Sequence, residues 1–331
     1  MAKLDFGTNI ITEEESASQY TSHIYNPLGV ARTYGVVLVF EDEVQKKLQI
    51  HFEIDIFCIN KTDDDYFEIE IFKHQIYINE KKPDILIDEL SERCGKVIYP
   101  LNLKVNKQAK VLNIVNQHTI IERWEREKEN IKQLYNSKEV SLLVNNMDSI
   151  IYDKKKLTDL ILQRDWFITL FFSPIYTSSV KSKTRKELKF PIIPYAPGVS
   201  YAIENKIIEH PNKKGDIIFN QKGLCIDHRS EKDILRGNQI SFEKTKRPVK
   251  GEIAIKHQLY KNSLLIDAIT GVCNLNFPSG KSKKISIEIY NLKNKTPQSS
   301  AQKKAAIEKT KEENEKSLPK KKKKFSFFFG K

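Results

Sequence analysis

The sequence predicts an α+β protein rich in antiparallel β-sheet, with a central layer of about three helices and a disordered basic C-terminal tail. Alternating polar and apolar runs, typical of half-buried strands, occur before and after the middle of the chain. Between them, residues 117–172 space their apolar side chains at the helical period. These patterns predict either two β-rich halves around the helices or one curved sheet that embraces them.

The first strands are indicated by regular alternation. From Leu48 to Phe57 the apolar side chains alternate with polar ones, and residues 66–72 repeat the pattern after a polar turn at residues 60–65. A turn of this kind between two alternating runs predicts an antiparallel hairpin. Further strands are predicted at residues 33–40, 76–78, 97–105, 111–115, 199–208, 216–226, 251–260, 264–277 and 284–292.

The helical layer is predicted to contain helices at residues 118–135, 138–150 and 154–172. Asn116 is expected to cap the first helix, because a short side-chain acceptor can bond the free N–H groups of a first turn. Pro174 is expected to end the third helix. A short helix at residues 230–235, followed by Gly237, is predicted in the second half of the chain.

Composition divides the chain into five segments. The strand signals end at Leu292, and the lysine-rich sequence after it has too little apolar content to join a core. Several prolines near residue 190 mark the best internal boundary. The predicted segments are a polar N-terminal arm (1–30), a β-meander with the helices (31–175), a Pro-rich connection (176–198), a second antiparallel region (199–292) and the tail (293–331).

The charge of the chain is concentrated in the tail. The formal net charge is +13 over 331 residues, and residues 293–331 hold thirteen lysines against four glutamates. The rest of the chain is therefore nearly balanced, so an argument for a polyanionic partner applies to the tail alone.

Cysteine usage and the N-terminus predict a reduced compartment. The four cysteines are far apart and form no CxxC pair, which is typical of packing residues in intracellular proteins. No secretory leader or membrane span is indicated. We expect a cytoplasmic protein, with peripheral membrane contact through the tail as an alternative.

Two short motifs resemble chemical sites and are better explained as turns. Residues 278–282 read Pro-Ser-Gly-Lys-Ser, but the phosphate-binding loop needs a glycine where Leu275 stands, so a hairpin loop is predicted. Residues 227–230 read Asp-His-Arg-Ser, and a helix cap is the favoured interpretation. Trp124 and Trp166 have apolar neighbours at helical spacing, so both are expected to pack in the core. No catalytic, metal or cofactor site is predicted.

The polar side of the first hairpin forms a possible acidic face. Like charges that lie opposite one another across two strands are destabilising unless something compensates them. A cation site or a dock for a basic peptide would be functional explanations, whereas neutralisation by lysines of neighbouring strands, Lys104 among them, is the favoured one. The residues of this face are Glu53, Asp55, Glu68 and Glu70.

The end of the tail is the most distinctive segment, because five consecutive lysines precede four phenylalanines. Three partners are compatible with such a peptide: a protein pocket, an anionic membrane surface, and single-stranded nucleic acid. The protein pocket is the favoured one. The candidate partner-binding residues are Lys320, Lys321, Lys322, Lys323, Lys324, Phe325, Phe327, Phe328 and Phe329.

These features favour a non-catalytic adaptor, whose body binds one partner and whose C-terminal peptide docks another, as an accessory of a larger assembly such as a secretion machine. The alternative is a carrier that holds an apolar ligand between the sheet and the helices. A hydrolase or toxin with an unrecognised site is the second alternative. No cofactor and no small-molecule substrate are predicted.

Overall fold

The computed structural model describes residues 24–42, 47–62, 66–83, 86–135, 137–176, 186–194, 196–208, 216–238, 248–295 and 297–302. The chain divides into two compact units, residues 1–296 and 297–331. In the second unit, a helical turn starts at Ser300, and Ser299 Oγ accepts a hydrogen bond from the backbone N–H of Gln302 at 3.3 Å. All the elements named below belong to the first unit.

The strands are β1 (Ala31–Asp42), β2 (Leu48–Lys61), β3 (Phe67–Lys73), β4 (Tyr77–Ile78), β5 (Leu101–Val105), β6 (Val111–Ile114), β7 (Lys186–Phe190), β8 (Val199–Ile208), β9 (Ile217–Cys225), β10 (Lys250–Leu259), β11 (Ile266–Asn276) and β12 (Ser282–Asn291). The helices are α1 (Leu86–Lys96), α2 (Gln117–Leu134), α3 (Lys138–Ile151), α4 (Lys154–Arg164), α5 (Trp166–Phe171) and α6 (Glu231–Arg236).

The strands form one antiparallel sheet. Its order is β6-β5-β3-β2-β1-β12-β11-β10-β9-β8-β7, with β4 paired to β2. The pairing of β1 with β12 joins the strands before the helices to those after them. The prediction of an antiparallel β-rich α+β fold is therefore confirmed, and of its two forms the single sheet is the one observed.

The sheet must curve strongly, because α4 contacts both edge strands, β6 and β7. Eleven strands at the usual spacing would span about 48 Å if the sheet were flat. A helix of 11 residues is only about 16 Å long. The two edges therefore approach each other, and α4 lies across the gap between them.

The concave side of the sheet carries the hydrophobic core. The inward side chains of the central strands are almost fully buried, and α5 contacts β11, which lies next to the middle strand β12. Trp124 of α2 is fully buried, and its indole N–H donates to Asp148 at 2.7 Å. The prediction that Trp124 and Trp166 are packing residues is confirmed, since Trp166 is also buried.

Several predicted elements differ from the observed ones. Asn116 precedes α2 as expected but makes no capping bond, because its side chain instead bonds the backbone of Asn102 and Pro100. The predicted third helix is broken at Asp165, whose side chain caps α5. Strand β7 lies in the segment predicted as a connection, and helix α1 was not predicted.

Other local predictions hold. Ser230 accepts a hydrogen bond from the backbone N–H of Asp233 and begins α6. Gly237 follows α6 in the left-handed conformation, with φ of 73°, as expected for a C′ glycine. The Pro-Ser-Gly-Lys-Ser motif lies in the hairpin turn between β11 and β12, where Gly280 has φ of 90°.

Candidate functional site

A cleft lies beside the end of α4, where that helix meets the edge of the sheet. Its volume is about 710 Å³, which is the size of a small-molecule site. The walls come from α3, α4, β7 and the segments at residues 197–200 and 226–229. We call this space the α4 cleft.

The floor of the α4 cleft is a buried ion pair. Arg229 donates from Nε to Asp227 Oδ1 at 2.9 Å and from Nη2 to Asp227 Oδ2 at 2.7 Å. It also donates to the carbonyls of Gly198 and Asn238, so four of its five donors are used. Burial disfavours the charged form of Asp227, but the hydrogen bonds from Arg229 outweigh it and hold the pKa of Asp227 below its ordinary value.

Unpaired cationic and imidazole side chains line the same cleft. Within the residues that the structure describes, the side chains of Arg164, Lys189 and His228 make no hydrogen bond or ion pair. Glu187 accepts a hydrogen bond from Ser200 Oγ at 2.8 Å. Arg164 retains access to solvent, yet partial desolvation by the cleft walls lowers the pKa of its guanidinium.

The second notable region is the concave face beneath α5. The ring of Phe171 lies 5.2 Å from that of Tyr34 on β1, and it stacks on Phe167 at 5.0 Å. Every residue of α5 except Thr169 is buried. A helix that is apolar on all sides is expected in an interior, and here it lies on the middle of the sheet.

A few polar groups interrupt this apolar interior. His257 on β10 is fully buried, and its Nε2 lies 3.1 Å from the carbonyl of Leu170 in α5. Its Nδ1 has no hydrogen-bond partner among the described residues. Burial lowers the pKa of His257 to about 4, so the imidazole is neutral near pH 7. Gln221, also fully buried, accepts a hydrogen bond from Ser173 at 3.0 Å.

The acidic residues of the first hairpin have individual partners. Asp55 is buried, accepts a hydrogen bond from Thr33 at 2.7 Å and lies 2.7 Å from His74. Glu70 is also buried and stands opposite Phe57 in the β2–β3 register.

Glu68 and Glu53 lie nearer the surface of this face. Glu68 is opposite Lys104 and accepts a hydrogen bond from Asn102, while Glu53 pairs with Lys295 at 2.6 Å. Two of the four carboxylates thus lie beside lysines of adjacent segments. A cation or basic-peptide site on this face stays a prediction.

The tail peptide, residues 320–331, lies outside the described residues, so the adaptor role that depends on it stays a prediction. In the described part of the chain, no group of His, Cys, Asp or Glu side chains could hold a metal ion. The four cysteines are free, and burial raises the pKa of Cys58 and Cys94 to about 11 and that of Cys273 to about 12. None of the helices described here is long and apolar enough to cross a bilayer.

The α4 cleft was not predicted from the sequence. Its cationic and imidazole side chains are separated by tens of residues, and only the folded sheet brings them to one place. A partial signal was present, because Lys189 ends the basic run of the predicted connection and His228 belongs to the Asp-His-Arg-Ser motif. Asp227 and Arg229 of that motif form a buried ion pair.

The fold and its contacts define an antiparallel α+β protein with one curved sheet. Comparisons with known proteins do not narrow that class further. No family model matches the chain, and no curated protein matches it. Among solved structures, a lipovitellin described under "lipid-protein interactions" has 7% identity and a TM-score of 0.37. The match covers 82% of this chain and 25% of lipovitellin.

A LolA superfamily protein from Nitrosomonas europaea has 4% identity and a TM-score of 0.14, with coverage of 78% and 85% of the two chains. At these TM-scores neither likeness supports an inference. The chain spans about a quarter of the length of the lipovitellin chain.

Proposed function

We propose that this chain is a non-catalytic carrier that holds an apolar ligand between its curved sheet and its helices. The observation that carries the proposal is the position of α5 on the concave face. The sheet curls until α4 contacts both of its edges, and the concavity so formed contains a short helix that is apolar except for Thr169. Apolar concavities with few polar groups are typical of small-molecule binding, and here α5 fills the concavity.

The way in which α5 is attached to the sheet supports the proposal that a ligand can replace its contacts. The helix has 6 residues, too few to be stable alone, and Asp165 separates it from α4. Polar contacts link α5 and the residues just after it to the sheet: His257 contacts Leu170, and Gln221 contacts Ser173. The remaining contacts are apolar and non-directional, so the apolar surface of a ligand can replace them.

The area that α5 covers limits the kind of ligand. Its buried side chains are Trp166, Phe167, Ile168, Leu170 and Phe171. Each aromatic ring alone buries about 150–250 Å². A ligand that replaces these contacts needs a comparable apolar area, which indicates a long acyl chain or a polycyclic body.

A lipid-transfer assay tests this function. The chain is stripped of bound lipid with organic solvent, refolded, and incubated with phosphatidylcholine vesicles that carry radiolabelled diacylglycerol. Flotation then separates the protein from the vesicles. We expect label to remain with the protein, approaching one molecule per chain. Refolded protein that has a native circular dichroism spectrum and carries no label would contradict the carrier proposal.

A further inference from the structure

We infer that the α4 cleft binds a small organic anion with an apolar body, at a site separate from the concave face beneath α5. The charged group of such a ligand would be a carboxylate, phosphate or sulfate. The inference does not depend on the carrier proposal, because it rests on other residues.

Three elements supply the groups that would bind the anion. Arg164 ends α4, Lys189 lies on the edge strand β7, and His228 follows β9. Within the described residues, their side chains have no hydrogen-bond or ion-pair partner. Lysine and arginine bind anions by charge-assisted hydrogen bonds, and the imidazole adds a further donor.

The environment of Arg164 strengthens this assignment. Partial desolvation is the cause of its lowered pKa, and no neighbouring carboxylate offsets that effect. Its side chain is nevertheless exposed, so an anion that enters the cleft can reach the guanidinium and accept a charge-assisted hydrogen bond from it.

Apolar side chains line the same cleft and would hold the body of the ligand. Ile150, Leu160, Pro197 and Ile226 line the cleft, and each of them is half-buried. The floor beneath them is fixed, because the Asp227–Arg229 pair ties the segment after β9 to Gly198. The lining of the cleft therefore combines a buried ion pair with apolar and cationic side chains.

Besides Asp227, two carboxylates line the cleft and limit its affinity for an anion. Glu187 is engaged by Ser200, at 2.8 Å. Asp159 lies on α4 and lines the cleft. Its charge opposes anion binding, so Asp159→Asn should tighten it by about two- to fivefold.

Two fluorescent probes test the inference: the anion 8-anilinonaphthalene-1-sulfonate and its neutral relative N-phenyl-1-naphthylamine. The full chain is titrated with each probe, beside the double variant Arg164→Gln/Lys189→Gln. A control variant, Lys256→Gln/Lys261→Gln, removes the same charge from exposed lysines that do not line the cleft.

We expect the cleft variant to bind the anionic probe about tenfold more weakly and the neutral probe unchanged. The control variant should match the wild-type chain with both probes. The inference is overturned if the wild-type chain does not bind the anion, if the cleft variant binds it unchanged, or if the control variant loses as much affinity. Circular dichroism checks that every variant is folded.

Discussion

The concave face beneath α5 and the α4 cleft lie on consecutive helices but differ in how they satisfy polar groups. Beneath α5, aromatic and aliphatic contacts dominate, and the one histidine is neutral. In the α4 cleft, a buried ion pair forms the floor, and the cleft is also lined by Arg164 and Lys189, which have no ionic partner in the part of the chain that the structure describes. The first environment suits an uncharged apolar ligand and the second suits an anion, so the break at Asp165 separates two kinds of surface.

The comparison predicts the largest loss of stability when a ring is removed from the concave face. Phe171→Ala should lower the free energy of unfolding by about 3–5 kcal/mol, because it leaves a cavity in a packed interior. Urea denaturation measures the change. Leu142→Ala on the exposed side of α3 is the control and should stay within about 0.5 kcal/mol. Equal effects at the two positions would show that α5 is not part of the core.

Removing the Asp227–Arg229 ion pair of the α4 cleft should also lower the free energy of unfolding, but by a smaller amount. Asp227→Asn removes one charge of a buried pair and leaves Arg229 uncompensated, at a cost of about 3 kcal/mol. The matched change at an exposed pair, Glu53→Gln opposite Lys295, should cost less than about 1 kcal/mol. Chemical denaturation of both variants compares them, and a neutral Asp227→Asn would refute the structural role of the pair.

The burial of His257 predicts that the stability of the chain depends on pH. The pKa of His257 is about 4 in the folded chain and near its ordinary value of 6.5 in the unfolded chain. The unfolded chain therefore binds more protons as the pH falls from about 6.5 to 4, and stability decreases over that window by up to about 3 kcal/mol.

His257→Gln should remove most of this slope, since glutamine can still donate to the Leu170 carbonyl but does not titrate. His228→Gln, at an exposed position, is the control and should retain the wild-type slope. Urea midpoints measured at several pH values give the result. A slope that persists in His257→Gln would assign it to other groups, such as Asp227 at lower pH.

The smallest effect is expected at the C-terminus. Leu292 bonds the backbone of Thr33, and Lys295 pairs with Glu53, so the first unit extends slightly beyond the predicted limit at Leu292. Deleting residues 297–331 should leave the melting temperature within a few degrees. Loss of cooperative melting after this deletion would show that the second unit supports the fold.

The sequence predicts the strands well, because burial on one face of a sheet imposes a period of two. Strand β10, for instance, alternates buried and exposed residues along nearly its whole length. Helix α1 was missed because it buries only Leu90 and Cys94 among many charged residues. Strand β7 was missed because an edge strand carries lysines that resemble a solvated connection.

The two candidate sites also differ in how well the sequence predicts them. The apolar character of α5 is local, so a run from Trp166 to Phe171 already indicates an interior segment. The α4 cleft depends on Arg164, Lys189 and His228, which meet only because the sheet curls and brings β7 to α4. Sequence alone contains no signal for that closure.

The central claim is that an apolar ligand can occupy the concave face in place of α5 contacts. The most direct test is to titrate the neutral probe N-phenyl-1-naphthylamine into the wild-type chain, Phe171→Ala and Trp124→Ala, with Phe171→Leu as a milder form. All of these changes create space in the interior, but only those at residue 171 create it beneath α5. We predict saturable binding by the wild-type chain and tighter binding when Phe171 is shortened, with no gain for Trp124→Ala. Folded protein that does not bind the probe, or an equal gain in both alanine variants, would contradict the account.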